Sequence, residues 1–354
     1  MKRRDSLRWL GGMGLAAGVP GLGPWAWAAG TVDVIAARFG DLPAPERVQR
    51  VFAAGAPAGV LLAVLAPSKL LGWPFAPSDA ARAMLAPALR DLPFLVRLAG
   101  RGSTIAVEKL LQLRPDLILD AGSADATYIS AARALHDQTG LPCVLTHGRL
   151  PEQAAQLRTV GRMVGEAQRG ERLAAYAESV LALADRVLQS TPTERRPRVY
   201  FARSADGLET GLAGSINVEV IEACGGRNVA AAVGKGSLAR VSLEQVLAWD
   251  PQVIVTQEPA FARLALQDPS WKAISAVREG RVHCAPTLPF GWLDGPPSVN
   301  RVIGVRWLVE RLHPQHSALK GLEPMAQAVQ SFYRLFYGVE LSAAAAERLL
   351  RGEG

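Results

Sequence analysis

"RVSLEQVLAWDPQVIV" spans Arg240 to Val255, and "TIAVEKLLQLRPDLIL" spans Thr104 to Leu119. Aligned, Glu108 falls on Glu244, Leu111 on Leu247, Pro115 on Pro251 and Ile118 on Ile254, each pair 136 residues apart. The phrase has a physical logic. Ser242 is a helix N-cap, with Gln245 placed to reach back. Each proline drives the residue before it out of helix geometry, so the helix stops there. The apolar run after each proline enters a sheet. A chain that writes this helix, turn and strand twice has two lobes of similar plan.

The flanking segments agree. "RVQRVFAAG" (Arg47–Gly55) is a strand running into a glycine turn, and "GVLLAVLAP" (Gly59–Pro67) is a helix stopped by Pro67. "DLILDAG" and "PCVLTHG" are buried strands ended by glycine. Such alternation predicts parallel sheets flanked by helices. After "LPCVLTHGRLP" the texture changes. No proline occurs from Glu152 to Gln189, and Leu157, Val160, Met163 and Val164 recur at helical spacing. This predicts one linking helix within 151–190, of about thirty-five residues and roughly 50 Å long. A second α/β block follows, with "RVYFARS" as strand and "SINVEVIEACGG" as helix. A closing helical region runs from Val299 to Leu349. The expected plan is an export signal over 1–29, an N-terminal lobe over 30–150, the linking helix, and a C-terminal lobe with closing helices over 191–354.

"MKRRDSLRW" opens the chain with Arg3 and Arg4 side by side. A weakly apolar, glycine-rich stretch follows and ends "AWAAG", where Ala26 and Ala28 supply a small-residue cleavage pattern. These are marks of an export signal of the twin-arginine type. No cysteine lies near the cleavage site, so a soluble periplasmic product without a lipid anchor is expected. Signal removal takes away four cations and one anion, so the net charge falls from +7 to +4. That balance makes no case for nucleic acid, and no basic run with interleaved aromatics occurs. No later segment reaches the roughly eighteen uninterrupted apolar residues of a membrane span. The three cysteines, Cys143, Cys224 and Cys284, allow at most one internal disulfide and have no CxxC spacing. A structural zinc site therefore has no support, and buried free thiols are the simpler reading.

Five segments in order carry a family resemblance: "VEKLLQLRPDLIL", "LPCVLTHGRLPEQ" with "LRTVGRMVG", "NVEVIEACGGRNVA", "VSLEQVLAWDPQVIV" and "DPSWKAISAVREGRVH". From about Arg47 to Pro314 the chain resembles the substrate-binding proteins of iron-complex and vitamin B12 ABC importers. The resemblance implies two α/β lobes joined by one rigid backbone helix, a ligand cleft between them, a monomer, and delivery of a ligand to an inner-membrane permease. In that family a glutamate at the position of Glu108 and Glu244 faces the permease on each lobe. The plain alternative is a solvated carboxylate favoured by the helix dipole.

The candidate cleft residues follow. "GRGS" (Gly100–Ser103) and "GKGS" (Gly234–Ser237) are matching glycine turns, one per lobe, and Arg101 and Lys235 in them favour an anion. Neither turn is a Walker A loop or a dinucleotide fingerprint. Tyr128 and His147 follow strand–turn phrases and can ligate iron or hydrogen-bond a chelate. Arg149 and Arg203 suit an anionic ligand. In "LPFGWLDGPPSVNR" (Leu288–Arg301), Trp292 can stack on a flat ligand or serve packing, and Asp294 can touch ligand or fix its loop.

The expected ligand is a metal chelate (ferric siderophore, haem or corrinoid) or a metal-containing anion, with molybdate or tungstate as the alternative. A bare cation site is disfavoured by the paired cations and the shortage of His, Tyr and Met. The chain lacks the G-x-S-x-G elbow and H-E-x-x-H of exported hydrolases, so no catalysis and no cofactor of its own are expected. An exported sensor without a transport role is the rival reading, against which Glu108 and Glu244 weigh. Replacing Arg3 and Arg4 together by Lys is predicted to leave precursor in the cytoplasm, as read by fractionation. Normal export of the double variant would mean general secretion instead.

Overall fold

The computed structural model describes residues 33–97 and 105–353. The signal at 1–29 and Arg101 lie outside the described residues. The N-terminal lobe holds a four-stranded sheet. Its strands are β1 (Ile35–Phe39), β2 (Val51–Ala53), β3 (Leu117–Gly122) and β4 (Cys143–His147), in the order β1-β4-β3-β2. β2, β3 and β4 are parallel, and β1 runs antiparallel to β4 at the edge. β3 is buried along its whole length, because both faces are covered. Leu117, Leu119 and Ala121 face the main core, while Ile118 packs with Phe52 and Leu110 on the other side.

Helix α1 (Ala56–Leu65) is apolar all round and buried from Ala58 onward, as a helix without a polar face must be. Two short helices, α2 (Asp79–Ala83) and α3 (Pro87–Arg90), lead on to α4 (Val107–Gln112) and α5 (Ala126–Thr139). Asp125 caps α5 by accepting from the Thr127 and Tyr128 N–H groups.

The single helix expected over 151–190 is two, α6 (Gln153–Met163) and α7 (Ala167–Ser190). The break falls at Gly165, whose φ of 73° lies in the left-handed region that glycine enters without strain. The two helices then cross closely. A Cβ on Gly161 would lie 3.0 Å from the Gly170 Cα. Arg158 of α6 ties to Glu171 at 2.8 Å and to Glu178 beside it. The backbone helix is thus α7, 24 residues long.

The C-terminal lobe runs β5 (Arg198–Ala202), β6 (Glu209–Gly211), α8 (Glu219–Ala223), β7 (Arg227–Asn228), β8 (Leu238–Arg240), α9 (Leu243–Trp249) and β9 (Val253–Thr256). Helices α10 (Pro259–Gln267), α11 (Pro269–Lys272) and α12 (Ser275–Arg278) precede β10 (Val282–Cys284). Its main sheet, in the order β10-β9-β5-β7, is parallel throughout. β6 and β8 form a separate antiparallel ribbon. Helices α13 (Arg301–Leu312), α14 (Met325–Tyr337) and α15 (Ala343–Leu350) close the chain. The doubled phrase takes matching shape. α4 leads to β3 and α9 to β9, and the residues before the two prolines, Arg114 and Asp250, have φ of 45° and 40°. Ser242 Oγ accepts from the Gln245 N–H at 3.2 Å, the expected cap.

The lobes share one core. A single apolar cluster runs from Val51 and Leu119 through α1, α7 and α13 to Val199, Phe201 and Val253. A buried ion pair sits where the lobes meet. Arg301 opens α13 and is fully buried. Its guanidinium donates to Glu219 Oε2 at 3.0 Å, to the Ile216 and Ser298 carbonyls at 3.3 Å, and to the Gly148 carbonyl of the other lobe. Glu219 Oε2 also accepts from the Leu150 N–H at 2.7 Å. Ser298 Oγ reaches the Pro57 carbonyl at 2.9 Å. Burial lowers the Arg301 pKa, and the Glu219 charge opposes that shift. Arg301→Ala would leave the Glu219 carboxylate buried without a charged partner. We predict a loss of about 3–5 kcal/mol in denaturant unfolding. A loss near zero would mean that water relieves the site.

Candidate functional site

In α/β sheets, ligand groups come from loops at the carboxyl ends of the strands. In the N-terminal lobe those ends lead to Gly55 at the start of α1, to Gly122, and to His147, Gly148 and Arg149. The wall here is bare backbone. A Cβ on Gly148 would lie 2.5 Å from the Gly122 Cα, so only glycine fits, and the Gly148 N–H donates to the Gly122 carbonyl at 2.9 Å. α1 begins beside it without a side-chain cap. In the C-terminal lobe the corresponding ends carry Arg203 after β5, Gln257 after β9 and the loop holding Trp292 and Asp294 after β10.

A polar band joins these walls. Arg203 pairs with Glu209 at 2.6 Å and with Asp294 at 2.9 Å. Asp294 also accepts from Asn217 Nδ2 at 2.9 Å and from the Gly295 N–H at 2.7 Å. Gln257 holds the loop by accepting from the Leu293 and Asp294 N–H groups and donating to the Asp294 carbonyl. Beyond Asn217 comes Glu219, with Arg301 on one side and Arg149 on the other. Arg149 Nε stands 3.6 Å from Glu219 Oε1, and Nη1 stands 3.8 Å from Glu152 Oε1. Arg149 is 57% exposed, whereas Arg203 is 23% exposed and Arg301 fully buried. Burial, and then the Glu219 charge, push the nearby Glu222 carboxyl up to about 7.

The structure pairs Arg203 with Asp294, while Arg149 is linked to them at a remove, through Glu219, two residues from the Asn217 that holds Asp294. Lys235 is exposed between Gly234 and Gly236, and its segment pairs with Ala213 beside the β6–β8 ribbon. The ribbon is tied to Arg203 by the backbone pair of Arg203 with Glu209. His147 ends β4, half-buried. Tyr128 lies apart, in the first turn of α5, lining a cavity of about 200 Å³ with Asp120 and Cys143 on one face of the sheet. Burial pushes the Asp120 carboxyl there up to about 6.

Trp292 and Asp294 take the second of the two roles open to each, packing and loop fixing, and not the ligand contact. Trp292 is fully buried, packed in the shared core with its indole N–H 3.4 Å from the Tyr333 hydroxyl, so it offers no face to a ligand. Asp294 is 3% exposed with both oxygens engaged, so its part is to fix Arg203 and the loop. The residues that sequence reasoning missed are Glu219, Asn217, Glu209 and Glu152. Glu219 left one trace, a charge set inside the apolar run "INVEVIEA". Cys143, Cys224 and Cys284 are all free, and burial pushes the Cys143 thiol up to about 12. Among the described residues no group of three or more His, Cys, Asp or Glu is placed to hold a metal ion.

Glu108 and Glu244 each sit in the first turn of a short helix, α4 and α9, and both are exposed. The Glu244 backbone N–H and the Ser242 hydroxyl hold the Glu244 carboxyl below its usual range. Among the described residues no helix is long and apolar enough to cross a membrane.

Comparison with known proteins agrees with this architecture. A family model described as periplasmic binding protein matches residues 55–287. The chain is 29% identical over 278 residues to the molybdate-binding protein MolA of Haemophilus influenzae, covering 72% of this chain and 74% of that one. The structure of MolA bound to molybdate superposes with a TM-score of 0.68 at 22% identity, covering 85% of this chain and 96% of that one. An ABC transporter solute binding protein from Sulfurospirillum deleyianum DSM 6946 gives 0.79 at 25% identity, over 88% and 95% of the two chains. The periplasmic heme-binding protein RhuT from Roseiflexus sp. RS-1 gives 0.57 at 21% identity, over 75% and 98%. With two parallel-sheet lobes on one backbone helix and a family match across both, the chain belongs to the periplasmic binding proteins of ABC importers.

Proposed function

We propose that the chain is a periplasmic receptor for a small metal-containing oxyanion of the molybdate and tungstate class, which it delivers to its permease. The observation that carries this reading is Arg149: a largely exposed guanidinium, without a hydrogen bond to either nearby carboxylate, beside the bare backbone of Gly122 and Gly148. Charge-assisted bonds from such a group are the usual means of holding an oxyanion. Lys235 adds a second cation from the other lobe, and Arg101 is assigned to the same ligand by its matching glycine turn. The similarity to a molybdate-binding protein supports this class. The burial of Trp292 counts against a flat macrocycle, which would use an exposed aromatic wall. The protein works as a monomer, performs no chemistry and needs no cofactor of its own. It reaches the periplasm by the twin-arginine route.

Each charge-assisted bond contributes roughly 1.5–3 kcal/mol. The Arg149→Ala, Lys235→Ala double variant should therefore bind molybdate at least about a hundredfold more weakly, since 1.4 kcal/mol is tenfold. Calorimetric titration with molybdate, tungstate, a ferric catecholate and haem tests the class. Tight binding of haem or the catecholate with none of either oxyanion would return the assignment to a chelate.

Glu108 and Glu244 are proposed as the permease contacts, one per lobe. Reversing both charges should lower uptake by more than about tenfold while ligand affinity stays at the wild-type value, because exposed interface charges act on docking. Unchanged uptake would make them solvated helix residues.

A further inference from the structure

The N-terminal sheet has a second face, turned away from the core that the lobes share. Side chains alternate along β3, so Asp120 stands on the same face as Ile118, opposite Leu119 and Ala121. Helix α5 covers this face, yet none of its 14 residues is buried. The space beneath it is the cavity of about 200 Å³, lined by Ile118 and Cys143 from the sheet and by Tyr128, Ala132 and Leu135 from α5. An apolar cavity of about 150 Å³ already admits benzene. This one has room for a ring with a short substituent.

Among the described residues that line the cavity, Asp120 is the one charged group. It is 9% exposed. Its Oδ1 accepts from the Ala121 N–H at 2.9 Å, and its Oδ2 has no partner among the described residues. Burial pushes this carboxyl up to about 6, so at neutral pH it is still mostly ionised. A desolvated carboxylate short of partners repels an anion and favours a cation. It also favours a cation over a neutral donor, because a charge-assisted hydrogen bond is roughly twice as strong as a neutral one. The cavity is therefore no extension of the oxyanion cleft. Its walls ask for an apolar body, and its one anchor asks for positive charge.

We propose that this cavity is a second ligand site, which takes a small organic ammonium ion with a compact apolar body. The ammonium donates to Asp120, and the body fills the space between α5 and the sheet. The site stands apart from the cleft, and the proposal does not rest on the oxyanion reading.

Benzylamine and benzyl alcohol separate charge from shape, since they differ in an ammonium for a hydroxyl. The experiment is NMR titration of each at pH 7.5 into the wild type, Asp120→Asn and Ala132→Phe, with far-UV circular dichroism on every protein. The wild type should bind benzylamine more tightly than about 1 mM, and at least about tenfold more tightly than the alcohol. Asp120→Asn should weaken benzylamine by about tenfold or more and leave the alcohol within about threefold. Ala132→Phe puts a ring into the cavity and should abolish binding of both. If Asp120→Asn does not fold, the preference of the wild type for benzylamine and its loss in Ala132→Phe are read instead. Molybdate titrated in the presence of saturating benzylamine should bind as it does without it. Equal affinity for the two probes overturns the proposal, and so does benzylamine binding that survives Ala132→Phe. Displacement of benzylamine by molybdate would put it in the cleft and also overturns the proposal. A wild type that binds no benzylamine overturns it and leaves the oxyanion reading standing.

Discussion

The buried pair of Arg301 and Glu219 is the interaction on which the rest of the site depends. Taking a guanidinium and a carboxylate out of water is costly, and their attraction offsets that cost only when the remaining donors and acceptors are also satisfied. Here they are, by groups from both lobes: the Gly148 carbonyl and Leu150 N–H on one side, the Ile216 and Ser298 carbonyls on the other. The pair fixes the start of α13 and thereby the loop before it. That loop carries Asp294, and Asp294 holds Arg203. On the other flank, Glu219 reaches Arg149. Arg149 and Arg203 are thus placed, directly or at one remove, by one buried pair whose further hydrogen bonds cross to the other lobe.

The three arginines of the band show how burial divides labour among like residues. Arg301 has no exposure and works as a structural tie. Arg203 is bound to two acids and is held in place. Arg149 is more than half exposed and is held only by charge, so its N–H groups remain for a ligand. Beside it, Gly122 and Gly148 lie too close together for any side chain, so the wall next to the guanidinium is backbone.

The local part of the fold was legible. A proline fixes the residue before it, a serine caps a helix, and both effects are written within a few residues, so the doubled phrase announced two lobes. Long-range pairing was not. β1 finds its partner about a hundred residues away, and the β6–β8 ribbon joins two segments that each look like loop. The break between α6 and α7 was missed because apolar spacing continues past Gly165, and a lone glycine does not by itself end a helix. In the site, residue type was legible and burial was not. Arg149, Arg203 and Lys235 were picked as free cations, and only partners far along the chain decide which are free. Trp292 read as either a stacking or a packing residue, and what separates the two is Tyr333, forty-one residues on, which lies against its indole. Glu152 gave no signal, because a glutamate at the start of a helix is ordinary.

The core common to both lobes has a consequence for how the permease senses the receptor. α1, α7 and α13 lie in one apolar cluster, so one lobe cannot swing without tearing packed side chains from the other. The proposed contacts Glu108 and Glu244 sit on α4 and α9, whose apolar residues Leu110 and Val246 pack in clusters outside that common core. With the lobes held together, a permease that grips both glutamates would read small local shifts of these two helices rather than the swing of a lobe.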